Sequence, residues 1–347
     1  MGDNRRISPA WFLVFTGLVF GGIATVLVRY GNPPNMGVCA ACFLRDCTGA
    51  LGLHHIAKLS YFRPEILGFI LGSFILSLTT REFRAEGGSA PLLRLFISAL
   101  VMIGALVFLG CPVRMVLRLA GGDVTAIAGL AGFIGGIWAG VLLLKQGFSL
   151  GRSHRLPQVN GVILPALTLG MLVLLLVRPT FVTLATKGHA PVALSLGAGL
   201  VVGALAQRSR LCFAGGIRNL ILVRETLLFQ GLVAVFAGAL IGNLITGQFN
   251  WGAHPIAHTS VPWNFLGMAV VGLGSVLIGG CPLRQMILAG QGNTDSALSV
   301  IGMILGAAFA HNYLLASTPA GPRFNGEVVV VAGLVLLLII GLVHRET

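Results

Sequence analysis

The sequence predicts an all-α polytopic membrane protein, with about ten transmembrane helices plus four re-entrant half-helices in two inverted repeats. Three observations predict it. The 347-residue chain is 56% hydrophobic and 10% charged, with a mean hydropathy of +0.92, outside the range of soluble domains. Its 49 glycines suit close helix packing and interrupted helices, which a bilayer tolerates only where protein or a water-filled cavity covers the freed backbone. The pentad Gly110-Cys111-Pro112-Val113-Arg114 returns 170 positions later as Gly280-Cys281-Pro282-Leu283-Arg284, each copy just after a long apolar run.

Arg5 and Arg6 precede an apolar run from Pro9 to Val28, long enough to be a retained first span rather than a signal peptide. The stretch Cys39-Ala-Ala-Cys42-Phe43-Leu-Arg45-Asp46-Cys47, running on to His54 and His55, is too short and too polar to cross, so it reads as a half-helix. Pro64 to Thr80 and Pro91 to Leu109 are spans two and three, and Pro112 to Ala120 is a second half-helix. Asp123 then caps span four, Val124 to Leu144, and a basic loop with Lys145, Arg152 and Arg155 leads to span five, Gly161 to Val177. Span six, Ala190 to Ala206, is followed by Arg208, Arg210, Cys212 and Phe213 and a third half-helix ending near Val223. Spans seven (Thr226 to Ile245) and eight (Asn264 to Ile278) enclose a loop from Gly247 to Trp263 without Lys, Arg, Asp or Glu. A fourth half-helix follows Cys281, Asn293 or Asp295 caps span nine, and Val328 to Val343 is span ten.

At the 170-residue offset Cys42-Phe43 falls on Cys212-Phe213, and seven glycine pairs coincide where chance gives roughly two. Gly17-Leu-Val-Phe-Gly21 also resembles Gly199-Leu-Val-Val-Gly203, which locates an insertion of about twelve residues near Asn32 to Gly37. Residues 1–155 form the first repeat, 156–188 carry the connecting span, and 189–347 form the second repeat plus a C-terminal span. Because span five has no mate, it reverses the second repeat relative to the first. The charge bias then places the N- and C-termini, with Arg81, Arg84, Lys145, Arg152, Arg155, Arg208, Arg210 and Arg345, on the cytoplasmic side of a bacterial inner membrane. The formal charge of +13 follows from these flanks rather than from nucleic-acid binding, since the basic residues sit singly at the ends of apolar runs.

Each pentad places a thiol at a helix N-cap, a proline at the first helical position and an arginine in the first turn. Backbone N–H groups, the positive helix end and a guanidinium converge near Cys111 and Cys281, an arrangement that suits an anion. Arg114 and Arg284 accept an unfavourable position relative to the helix dipole, and Asp123 and Asp295 are the carboxylates available to pair with them. Six cysteines without an extracellular domain read mostly as free thiols. Cys39, Cys42 and Cys47 with the adjacent histidines match no standard zinc spacing, so neither a metal nor another cofactor is expected. The candidate pathway residues are Cys42, Cys111, Cys212, Cys281, Arg114, Arg284, Cys39, Arg45, Gly110 and Gly280.

The duplicated Gly-Cys-Pro-x-Arg and the paired Cys-Phe half-helices resemble the YeeE/YedE sulfur-transport family over nearly the whole chain. The run from Gly31 to Asp46 looks most like the YedE branch associated with selenium metabolism. The resemblance implies uptake of thiosulfate or a related sulfur or selenium anion, passed along Cys42, Cys111, Cys281 and Cys212 without covalent chemistry. It also implies that a cytosolic carrier protein of the TusA type receives the cargo. On that register Cys39 and Cys47 have no mate in the second half, and Cys39→Ser is expected to be tolerated better than Cys42→Ala. The alternative is a membrane thiol-disulfide or sulfur-transferring oxidoreductase using Cys39-x-x-Cys42 as its redox pair.

Overall fold

The structure, a computed structural model, describes residues 9–179 and 184–345, so Arg5 and Arg6 lie outside the described residues. The first half contains α1 (Pro9–Arg29), α2 (Ala40–Ala50), α3 (Pro64–Thr79), α4 (Pro91–Val107), α5 (Pro112–Ala120) and α6 (Ala126–Lys145). After α7 (Gln158–Val177) come α8 (Val192–Ser209), α9 (Phe213–Val223), α10 (Leu227–Thr246), α11 (Val261–Leu277), α12 (Pro282–Gly290), α13 (Thr294–Asn312) and α14 (Phe324–Val343). Among the described residues, ten segments are long and apolar enough to cross a membrane. α2, α5, α9 and α12, at 11, 9, 11 and 9 residues, are too short to do so.

The long helices pair crosswise between the halves. α1 packs on α10 while α8, its counterpart, packs on α3; α6 packs on α11 while α13 packs on α4. The matched glycines are where these pairs touch. A methyl on Gly132 or Gly136 would collide with the carbonyls of Phe265 and Ala269, and on Gly302 or Gly306 with those of Leu95 and Ala99, the positions 170 residues earlier. Each such glycine lets two backbones approach where hydrocarbon supplies no hydrophobic force to bring them together. α11 is buried through most of its length, whereas α7 and α14 turn Leu176, Val177, Phe324 and Val343 outward, as helices facing lipid do.

Loops gather at two ends. At one, the short strand Glu86–Gly87 pairs antiparallel with His154–Arg155, and Arg208 meets Glu82 at 2.9 Å. At the other, Asn35 meets His254 at 2.6 Å, Asn312 donates to the Leu53 carbonyl at 2.9 Å, and Arg63 to that of Gly188 at 3.0 Å. The charge-free loop after α10 belongs to this second end. One boundary differs from expectation: Thr125, not Asp123, precedes α6 as its cap residue, because the Asp123 carboxylate is engaged by Arg118 at 2.7 Å and by the Thr125 N–H at 2.9 Å. Asn293 caps α13 as expected, accepting from the Ser296 N–H at 2.7 Å.

Candidate functional site

Both Gly-Cys-Pro-x-Arg motifs end a long helix and start a short one for the same local reasons. Leu109 and Gly279 take left-handed backbone, φ +62° and +84°, and turn the chain back after α4 and α11. Cys111 and Cys281 then cap α5 and α12, with Pro112 and Pro282 at first positions, where the missing N–H costs no helical bond. The motif glycine is dictated by the arginine: a methyl on Gly110 would press on Arg114 Cδ, and one on Gly280 on Arg284 Cγ, each at 3.0 Å. Without Cβ, the arginine stem can fold back over the cap.

The other two short helices supply the facing thiols. Cys39 caps α2 and accepts the Cys42 N–H at 3.3 Å; Cys212 caps α9 and accepts the Gly215 N–H at 3.2 Å. Cys39 Sγ lies 3.7 Å from Cys111 Sγ, and Cys212 Sγ lies 3.9 Å from Cys281 Sγ. The thiols therefore form two cap-to-cap pairs. α2 also touches α12 and α5 touches α9, so the four short helices meet in one central cluster.

This geometry corrects the register read from sequence. Cys212 is matched by Cys39, and Cys42 by Gly215. The reason is that Cys39 follows Gly21 by 18 residues whereas Cys212 follows Gly203 by 9, so most of the first-half insertion precedes the cap and the rest follows it. A signal for this was present: at an offset of 173 residues Cys39, Ala41, Arg45 and Asp46 fall on Cys212, Ala214, Arg218 and Asn219. The side chains repeat the match. Arg45 donates to Asp46 Oδ1 from Nε and Nη2 at 2.9 and 2.6 Å, and Arg218 donates to Asn219 Oδ1 at 3.2 and 3.1 Å.

The motif arginines are not equivalent. Arg114 is fully buried, with Nε donating to the Asn35 carbonyl at 3.2 Å, Nη2 to that of Ile256 at 3.1 Å and Nη1 to that of Leu109. Its Nη1 also lies 3.6 Å from Cys42 Sγ. Arg284 Nη1 is buried with no hydrogen-bond partner among the described residues. Neither arginine uses the carboxylate the sequence offered it, since Asp123 pairs with Arg118 and Asp295 sits 3.7 Å from Arg94 while accepting from Ser89 and Ser153. Two motif cations thus face the thiols without a carboxylate counter-ion.

Beside Leu109, at the end of the loop that leads into Cys111, is a cavity of about 510 Å³. Arg45, Lys58, His311 and Arg323 line it and no carboxylate does; its wall includes Leu109 and Ile256, whose carbonyls hold Arg114. His311 Nε2 and Ser317 Oγ are buried there without hydrogen-bond partners among the described residues, and the His311 ring lies 4.7 Å from that of His54. Burial lowers the pKa of His54 from its ordinary imidazole value. Arg45 is partly neutralised, because Asp46 is shared with Arg63 at 2.7 Å; two cations on one carboxylate still leave a net positive charge. Lys58, His311, Ser317 and Arg323 were not among the residues the sequence singled out, since nothing local marks residues of separate loops and a helix end that only folding brings together.

Cys47, which is not among the candidate pathway residues, is accounted for by packing. Cys47 accepts the Arg63 N–H at 3.4 Å and belongs to a separate apolar cluster with Tyr61, Phe62 and Leu67. All six cysteines are free thiols, and among the described residues no three His, Cys, Asp or Glu side chains converge as a metal would require.

Residues 208–343 match a family model described as sulphur transport. The chain is 29% identical over 109 residues to the thiosulfate transporter TsuA of Spirochaeta thermophila, covering 31% of this chain and 33% of that protein. It is 28% identical over 104 residues to the thiosulfate transporter TsuA of Escherichia coli, covering 29% of each. The aligned part thus spans about a third of the length of either relative.

Proposed function

We propose that the chain is a YeeE/YedE-type sulfur-transport protein, a membrane transporter for a small sulfur-containing anion of the thiosulfate type; its match to a sulphur-transport family model over residues 208–343 and its partial similarity to thiosulfate transporters support this reading. The observation that carries this reading is the pair of facing thiols at each set of half-helix caps, each beside an arginine that no carboxylate neutralises. The helix N-termini and guanidinium groups complement the charge of the anion, and the thiols give its soft terminal sulfur polarisable neighbours. Oxygen-only anions gain the first interaction but not the second.

In this reading the anion collects in the cationic cavity, passes Cys42, Cys39 and Cys111, and leaves past Cys281 and Cys212. All five thiols are at most 5% exposed, so the path is closed here and transport requires the half-helices to part. The two halves act as inverted repeats, with the cavity end outside a bacterial inner membrane and the basic loops at the other end in the cytoplasm. Crosswise pairing of equivalent helices is what a two-fold relation between the halves would produce, and it supports this arrangement. A selenium analogue meets the same chemical requirements as thiosulfate, and a TusA-like carrier would receive the cargo inside.

Uptake of labelled thiosulfate, sulfate and selenite into proteoliposomes with and without the protein tests the proposal. Thiosulfate uptake well above the sulfate rate is expected; equal rates for all three, or none above the empty vesicles, would refute it.

A further inference from the structure

The cap thiols are arranged for a chemistry that transport does not use. Cys39 and Cys111 terminate two different short helices, as do Cys212 and Cys281, and each pair places two sulfurs 3.7 or 3.9 Å apart across a helix-to-helix contact. A disulfide needs about 2.05 Å between the sulfurs, so closing either gap takes an approach of roughly 1.7–1.9 Å. Cys111 and Cys281 make no side-chain capping hydrogen bond of their own. Cys39 and Cys212 are each held in place by one backbone N–H. The arrangement is repeated in both halves. Cys47, in its own apolar cluster, accepts a backbone N–H in place of facing a second thiol.

We propose that these pairs are oxidation sites, Cys39 with Cys111 and Cys212 with Cys281, and that either disulfide staples two half-helices together and holds the path shut. The consequence for flux rests on the transport reading, whereas the chemistry does not. Hydrogen peroxide, small and neutral, is the class of oxidant suited to buried thiols. One sulfur attacks a peroxide oxygen, the O–O bond breaks, and the departing hydroxide takes the thiol proton to leave as water, giving a sulfenic acid. The partner sulfur then attacks the sulfenic sulfur, the S–O bond breaks, and a second water leaves with the remaining thiol proton. Two thiols lose two electrons and one peroxide is reduced to two waters. A small dithiol reverses the reaction by exchange.

The test uses the full chain in proteoliposomes, treated with hydrogen peroxide, alkylated without reduction, digested and mapped by mass spectrometry, with thiosulfate uptake measured on the same samples. Peptides joining Cys39 to Cys111 or Cys212 to Cys281 are expected, with uptake falling roughly tenfold and returning on addition of dithiothreitol. A Cys47→Ser variant, which leaves both pairs intact, should give the same crosslinks. Oxidation that yields only sulfinic acids, a Cys39–Cys42 loop in place of the inter-helix crosslink, or a full crosslink with undiminished uptake would overturn the proposal. Should the reduced protein show no uptake, the transport reading fails while the peptide map still decides the pairing.

Discussion

Cys39 and Cys212 occupy the same place in the two halves: each caps an eleven-residue helix, accepts the N–H three residues on, at 3.3 and 3.2 Å, and faces the cysteine of a Gly-Cys-Pro-x-Arg motif. Cys42 sits where the second half has Gly215. The consequence reverses the expectation from sequence. Cys39→Ala should reduce thiosulfate uptake as severely as Cys212→Ala, whereas Cys42→Gly, which gives the first half the composition of the second, should retain a substantial part of it. Initial uptake rates of the three variants at matched protein content decide the order; a Cys39→Ala variant that outperforms Cys42→Gly would restore the register read from sequence.

Arg114 and Arg284 should separate stability from function. Removing Arg114 takes a guanidinium donor from three carbonyls, the buried one of Leu109 and the part-buried ones of Asn35 and Ile256, and an unsatisfied buried group costs about 1–3 kcal/mol. Arg284 has a buried Nη1 without a hydrogen-bond partner among the described residues, so its removal strands nothing at that position. Thermal unfolding in detergent should therefore show Arg114→Ala clearly destabilised and Arg284→Ala near wild type, with uptake lost in both. A destabilised Arg284→Ala would mean that the charge holds the fold rather than an anion.

Lys58 and Arg323 line a cavity without acids, and their contribution should be one of capture. Replacing both with Gln should raise the apparent KM for thiosulfate several-fold with little change in maximal rate, and should flatten the dependence of uptake on ionic strength, because long-range attraction between charges is what salt screens. A fall in maximal rate at unchanged KM would instead place these residues in a step after binding.

Gly132 and Gly22 give a paired test of helix packing. A side chain on Gly132 meets the Phe265 carbonyl on α11, while Gly22 has nothing within 4 Å. Gly132→Val should lower the thermal midpoint or prevent accumulation, since overpacking at a well-fitted contact costs about 1–3 kcal/mol or more; Gly22→Val should be close to neutral. Equal behaviour of the two would show that the close approach of α6 and α11 is not a determinant of stability.

The spans were legible because hydropathy and proline placement are local signals: Pro64, Pro91, Pro112 and Pro282 each stand at the start of a helix where the sequence set them. The role of the glycines was legible as repetition, and the structure supplies its cause in the carbonyls of Phe265, Ala269, Leu95 and Ala99. The register of the first half-helix was not, because a single dipeptide match at one offset outweighed a sparser match, Cys-x-Ala-x-x-x-Arg followed by Asp or Asn, at another. The Arg45–Asp46–Arg63 cluster and the cationic cavity depend on loops distant in sequence, Lys58 and Arg323 among them, and no periodicity marks such a meeting.

The central claim is that a sulfur anion passes both thiol pairs, and thiosulfate uptake by the Cys111→Ala, Cys281→Ala double variant tests it most directly. Loss of one sulfur atom at each cap removes little packing volume, so the variant should insert and unfold like the parent. The account predicts that reconstituted, correctly inserted double variant takes up thiosulfate no faster than vesicles lacking protein; uptake at the parental rate would contradict it.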